Sequence, residues 1–118
     1  MLNQTVLVGR IVSDPQINET ENERKFTLIK LAVPRSYKNE NGEYETDFIP
    51  CVLWNTIAVS TCEYCKKGDV VGIKGRIQTN TYEKEGITRY DSEVVAERIT
   101  FLSDSRNHEG DTISETED

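Results

Sequence analysis

Apolar side chains in this chain come in short runs, and no long stretch has the three- and four-residue spacing of an extended amphipathic helix. Five runs rich in Val, Ile, Thr and aromatics cover 5–13, 24–33, 47–55, 70–78 and 88–102, separated by polar segments carrying Gly, Asn or Asp. β-branched and aromatic side chains fit a pleated, half-covered surface, so each run reads as a strand. Only 56–67 favours helix, because Ile57, Ala58, Cys62 and Cys65 can share one stripe and Gly68 follows as a stop. The predicted order is three strands, one short helix, two strands.

The connections 14–23, 34–46 and 79–87 are long and polar. Asn41-Gly42 and Glu85-Gly86 mark two of them as hairpin tips, since glycine accepts the positive φ such turns require. No solenoid-type repeat relates the runs. Five strands with a single helix between the third and fourth match an all-β OB-fold, a small, partly open Greek-key barrel; an open sandwich is the alternative. In such barrels ligands lie across the second and third strands and between the first and last loops.

Strand side chains alternate between two faces. In the third run Ile49, Cys51 and Leu53 are suited to the interior, which leaves Phe48, Pro50, Val52 and Trp54 outside. Phe48 and Trp54 then stand roughly 20 Å apart on an uncharged outer strip, at about 3.3 Å per residue. Exposed rings grouped in this way mark a surface that something covers. In the fourth run Val71, Ile73 and Ile77 share one face, while Lys74, Arg76 and Gln78 share the other. The same parity leads on to Asn80 and Tyr82, with Lys84 and Arg89 further round; Arg35, Tyr37 and Lys38 cluster in the second loop, after Lys30. Rings interleaved with cations are what an unpaired nucleic-acid strand needs. Bases stack at about 1–3 kcal/mol each, in a sequence-tolerant way, while phosphates are neutralised alongside. No helix carries a row of side chains able to read a duplex groove.

Charge changes the picture less than its total implies. The 118 residues hold 14 Lys and Arg against 21 Asp and Glu, for a net of -7, whereas nucleic-acid binders commonly show a basic surface. Residues 103–118 hold six acids and one arginine, which leaves only -2 for residues 1–102. Ile113 is the one large apolar residue in that tail, so a disordered acidic appendage is expected there, after a single domain over 1–102. The longest apolar run, Cys51-Val52-Leu53-Trp54, is far too short for a bilayer span. The start Met1-Leu2-Asn3-Gln4-Thr5 has neither the basic nor the apolar part of a secretory signal, which predicts a cytoplasmic protein. Asn3-Gln4-Thr5 and Asn18-Glu19-Thr20 match the glycosylation pattern, but carry no weight without secretion.

Three cysteines fit a reducing compartment. Cys62-Glu63-Tyr64-Cys65 has redox or zinc spacing, yet it lies in the predicted helix with no second pair. The structural reading is small apolar side chains, and a thiol or zinc regulator is the rival. There is no Walker loop, nucleophile elbow or zincin pair, and the only histidine, His108, falls in the tail. The expectation is a binding protein with no enzymatic activity, metal or cofactor.

Several stretches, in order, also carry a family likeness over about 1–102. They are Leu7-Val8-Gly9-Arg10 with Asp14-Pro15, Leu31-Ala32-Val33 followed by Arg35, Gly42-Glu43 with Asp47-Phe48-Ile49, and Leu53-Trp54. Further on come Tyr64 with Lys67-Gly68, Gly75-Arg76-Ile77-Gln78-Thr79, Tyr82-Glu83 and Glu93-Val94-Val95-Ala96. The chain resembles the bacterial single-stranded-DNA-binding proteins, and in particular their short-tailed paralogues.

That resemblance implies an OB-fold forming homo-oligomers, usually tetramers, around which single-stranded DNA wraps in replication, repair and recombination. It implies stacking on Tyr37, Phe48, Trp54 and Tyr82, and backbone contacts from Arg10, Arg35 and Arg76. Lys30, Lys38, Lys74, Lys84 and Arg89 complete the expected phosphate contacts.

The chain departs from its relatives at Asn80, where arginine is common, at Asn55-Thr56, where a lysine follows the tryptophan, and at Pro34, where asparagine is frequent. Full-length relatives end in an acidic tip closed by Pro-Phe that recruits replication proteins. This chain ends Glu115-Thr116-Glu117-Asp118, so that recruitment is not carried over. An OB-fold accessory replication module acting through protein contacts is the alternative function.

Overall fold

The computed structural model describes residues 1–102 and, as backbone, 111–114. The strands are β1 (Thr5–Ile11), β2 (Asn18–Glu19), β3 (Lys25–Lys38), β4 (Tyr44–Trp54), β5 (Val70–Lys84), β6 (Ile87–Phe101) and β7 (Asp111–Ser114), with α1 (Asn55–Tyr64) between β4 and β5. They form one sheet in the order β1-β5-β6-β4-β3-β2. Arg10↔Ala32 and Ile11↔Leu31 join β1 to β3 and close it into a barrel. Among the described strands only β4 and β6 run parallel, through Cys51↔Val94 and Val52↔Val95. The five long strands and the intervening helix reproduce the predicted OB-fold.

Alternation builds the interior. Thr27, Ile29 and Leu31 on β3, Cys51 and Leu53 on β4, and Val71 and Ile73 on β5 are all buried. Ile57 and Ala58 of α1 belong to the same apolar cluster. Each fully buried aliphatic side chain of this size contributes about 1.5–3 kcal/mol. On β6 the inward set changes parity: Val94 and Ala96 point in, and so do Ile99 and Phe101. A bulge explains the change, because Lys74 pairs with Arg98 while Gly75 pairs with Ala96, leaving Glu97 unpaired. Gly75 lies at the bend, where an added Cβ would land on the Val95 carbonyl oxygen.

Four expectations change. Val52 lies on the outer side, opposite Leu28, yet it is only 5% exposed, because the paired strands β3 and β6 crowd it on both sides. Ile77 keeps the parity of Val71 and Ile73 but stands half in solvent where the β5–β6 ribbon runs on past the barrel. The segments read as polar loops around 34–46 and 79–87 are largely hairpin arms: β3 reaches Lys38, and β5 reaches Lys84. Polar residues in a two-stranded ribbon bury nothing, so periodicity gives no sign of them. The tips are as expected, with Gly42 at φ 77°, and Glu85 and Gly86 at 55° and 77°, both positive as a two-residue type I′ turn requires. The helix ends at Tyr64, three residues earlier than the pattern implied; Cys65 is extended, and Gly68 serves the following turn with φ 94°.

Within 103–118 the backbone of Asp111–Ser114 is described as β7, antiparallel to β6 with Ile99 opposite Ile113. The rest of that segment, 103–110 and 115–118, lies outside the described residues.

Candidate nucleic-acid interface

The outer faces of β5, β6, β4 and β3 form one surface. Strand register places its rows: Trp54 opposite Phe26, Val52 opposite Leu28, Pro50 opposite Lys30, and Phe48 opposite Ala32. On the neighbouring ribbon Arg76 stands opposite Val95, Gln78 opposite Glu93, Asn80 opposite Asp91, and Tyr82 opposite Arg89. Since Val52 pairs with Val95, the two halves are continuous.

Phe48 is 59% exposed, Tyr37 63% and Tyr82 43%, while Trp54 is half-buried. Arg10, Ala32 and Phe48 fall in one row across β1, β3 and β4, which puts Arg10 about 10 Å from the Phe48 strand at the usual strand spacing. Its guanidinium donates to the Gly68 carbonyl at 3.0 Å. Arg76 is half-buried and donates to Gln78 Oε1 at 3.0 Å. Asp91, as a hydrogen-bond acceptor and then by its negative charge, raises the Tyr82 phenol pKa above its ordinary value. Lys30, Lys84 and Arg89 are exposed, and Lys74 is half-exposed.

Two of the predicted contacts already have partners within the chain. Arg35 does not lie free beside Phe48. Its Nε and NH2 donate to Asp47 at 3.0–3.3 Å, and its NH1 donates to Glu45 Oε2 at 2.8 Å. Asp47 pairs with Val33 on the parity opposite to Phe48, so the guanidinium is drawn to the other side of the ribbon. The hydrogen bonds from Arg35 hold the Asp47 carboxyl below its ordinary range, and Asp47 in turn raises the arginine's. Lys38 Nζ is 5.7 Å from the Tyr44 ring centroid, a cation–π contact that the sequence reading did not assign.

The sequence reading also missed Arg24 and Phe26. The Phe26 ring lies 5.2 Å from that of Trp54, and the Arg24 guanidinium sits 4.4 Å from the Trp54 centroid. The signal was present: Arg24, Phe26, Leu28 and Lys30 alternate with the buried Thr27, Ile29 and Leu31. Cys51 and Cys65 are buried, and Cys62 is half-buried. Burial, helped by nearby Glu93, pushes the Cys51 thiol up to about 12. No group of three or more metal-ligating side chains occurs among the described residues. Nor is any helix among them long and apolar enough to cross a membrane.

A closed OB barrel with solvent-facing rings and adjacent cations is an architecture that binds oligonucleotides. The single-strand binding protein family model matches residues 2–102, and the chain belongs to that family, which is non-enzymatic. It is 45% identical over 103 residues to single-stranded DNA-binding protein B of Bacillus subtilis (strain 168), covering 86% of this chain and 91% of that protein. Single-stranded DNA-binding protein 3 of Listeria innocua serovar 6a is 41% identical over 115 residues, covering 97% and 72% respectively. Single-stranded DNA-binding protein 3 of Streptococcus agalactiae serotype V is 44% identical over 113 residues, covering 95% and 81%.

Proposed function

We propose that this protein coats single-stranded DNA in a sequence-tolerant way, stacking bases on Phe48, Trp54, Tyr82 and Tyr37 while cations neutralise the phosphates. The observation that carries this reading is Phe48, an apolar ring 59% exposed in a row with Arg10 and on one strand with Trp54. Rings left in water are unfavourable until a ligand covers them, and bases do so at about 1–3 kcal/mol each. Arg10, Lys30, Lys38, Lys74, Arg76, Lys84 and Arg89 are the phosphate contacts in this reading. Arg35 joins them only when released from its carboxylates. The processes served are replication, repair or recombination in a bacterial cytoplasm.

The working form is a homo-oligomer, with a tetramer the order implied by the family. Val6 and Val8 support self-association, being 71% and 54% exposed on β1. Thr5 to Gly9 pair with β5 on one side only and leave a strand edge for a second copy. Val6→Glu with Val8→Glu should then yield a smaller species by light scattering.

The decisive test is titration of Trp54 fluorescence, the only tryptophan, with oligo-dT, oligo-U and duplex DNA. Quenching by single strands that weakens as salt rises supports the reading. No quenching, with retained binding to a replication protein, would replace it by the accessory-module alternative.

A further inference from the structure

Between Phe48 and Trp54 the outer surface is hollowed by a cavity of about 450 Å³, lined by Val12, Ser13, Leu28, Lys30, Pro50 and Glu93 among others. Its walls are mostly apolar, with one ammonium and one carboxylate. Pro50 is two residues along β4 from Phe48 and four from Trp54, so a strand held by both rings must cross the hollow. Glu93 is the anomaly, because a carboxylate on a phosphate-binding surface repels its ligand unless it meets a donor.

Its Oε1 accepts from Asn80 Nδ2 at 3.1 Å, and no other described residue donates to the carboxylate. One oxygen is therefore fixed in orientation, and the other meets no donor among the described residues. The backbone of a DNA strand offers only acceptors here. Bases offer exocyclic amines, and a Glu carboxylate accepting from the cytosine N4 amine is an established geometry of base recognition. Thymine presents a carbonyl at that position, which would face the carboxylate without a proton between them.

We propose that the hollow is a base-reading subsite for cytosine or adenine, whose 4- or 6-amine donates to Glu93, where thymine and guanine carry a carbonyl, while Lys30 neutralises the adjoining phosphate. The subsite rests on the single-strand reading above and adds to its sequence-tolerant stacking a modest preference at one position of the bound strand.

The test uses the full chain and its Glu93→Gln variant. Glutamine keeps the length and the acceptor for Asn80, but loses the charge and can donate to a thymine carbonyl. Equal-length oligo-dC, oligo-dA and oligo-dT are compared at one salt concentration by competition against Trp54 quenching. The affinity for dC or dA relative to dT should fall roughly three- to tenfold in the variant, the size expected from one hydrogen bond. Whichever of dC and dA shifts is the base read.

A shift of the same size for all three oligomers makes Glu93 a general repulsive charge and overturns the subsite, leaving the coating function intact. Failure of the wild type to bind any oligomer overturns both. Lys30→Ala should weaken all three equally; a base-dependent loss would remove Lys30 from the phosphate role and, with it, the proposed arrangement.

Discussion

Arg24 lies over the ring of Trp54, its guanidinium carbon 4.4 Å from the ring centroid, with Phe26 at 5.2 Å completing the cluster. The tryptophan is therefore partly occupied before any ligand arrives. A cation–π contact at a solvent-facing site gives about 0.5–1 kcal/mol, and a stacked base about 1–3. On the proposed reading a stacking base outcompetes the arginine, which is then released beside the phosphates it can neutralise.

This relationship predicts a split between two variants. Trp54→Ala should weaken single-strand binding roughly tenfold, as the loss of one stacked base requires. Arg24→Ala should leave stacking in place and reduce the slope of log affinity against log salt by about 0.7, one phosphate contact on a single strand. Fluorescence anisotropy with a labelled oligomer at several salt concentrations measures both. An unchanged slope would show that Arg24 stays on the ring.

Arg35 predicts the opposite of its usual reading. With Glu45 and Asp47 bonded to it, its charge is offset, so Arg35→Ala alone should alter affinity less than twofold, while Glu45→Gln with Asp47→Asn should tighten binding and steepen the salt slope. The Asp47 pKa is depressed in the folded state, so the pair is fully present above the ordinary carboxylate value of about 4 and is lost only as pH falls through the lower, folded value. Carbon-detected NMR titration should give Asp47 a midpoint below that of exposed Asp residues, and Arg35→Ala should return it to their range.

The thiols should be poor nucleophiles in the native protein. Burial raises the Cys51 pKa to about 12 and also raises that of Cys62, though a hydrogen bond with Thr27 works against the second shift. Thiolate attacks disulfide reagents and thiol does not. At pH 8, Cys51 should stay unlabelled over the time in which denaturant exposes all three cysteines. Fast native labelling of Cys51 by mass spectrometry would contradict the burial.

Gly75→Ala should be strongly destabilising. Its methyl group would meet the Val95 carbonyl oxygen at the β6 bulge, where backbone cannot yield as a flexible side chain can. A cost of about 1–3 kcal/mol is typical of such overpacking, which in a domain near 100 residues lowers Tm by roughly 4–20 °C. Calorimetry against Gly42→Ala, where a Cβ meets nothing within 4 Å but φ is 77°, separates crowding from backbone strain.

Much of this molecule can be read from residue order alone. Alternation placed Cys51 and Leu53 inside, with Phe48 outside, because a strand's two faces follow from its pleat, whatever its neighbours. The turn at Glu85-Gly86 needed only local chemistry, since few residues accept two successive positive φ values. Other features needed the assembled barrel. Val52 is covered because β3 and β6 flank it, and no pattern within β4 encodes which strands those will be. The pairing of Arg35 with Glu45 and Asp47, ten and twelve positions on, is not legible in the sequence, because it depends on the hairpin folding them back onto it. Arg24 meets Trp54 across the β3–β4 pair, and Asn80 meets Glu93 across the β5–β6 pair, through registers that no single strand's pattern fixes. Local geometry is written in neighbouring residues, whereas charge pairing and shielding depend on distances that only chain closure creates.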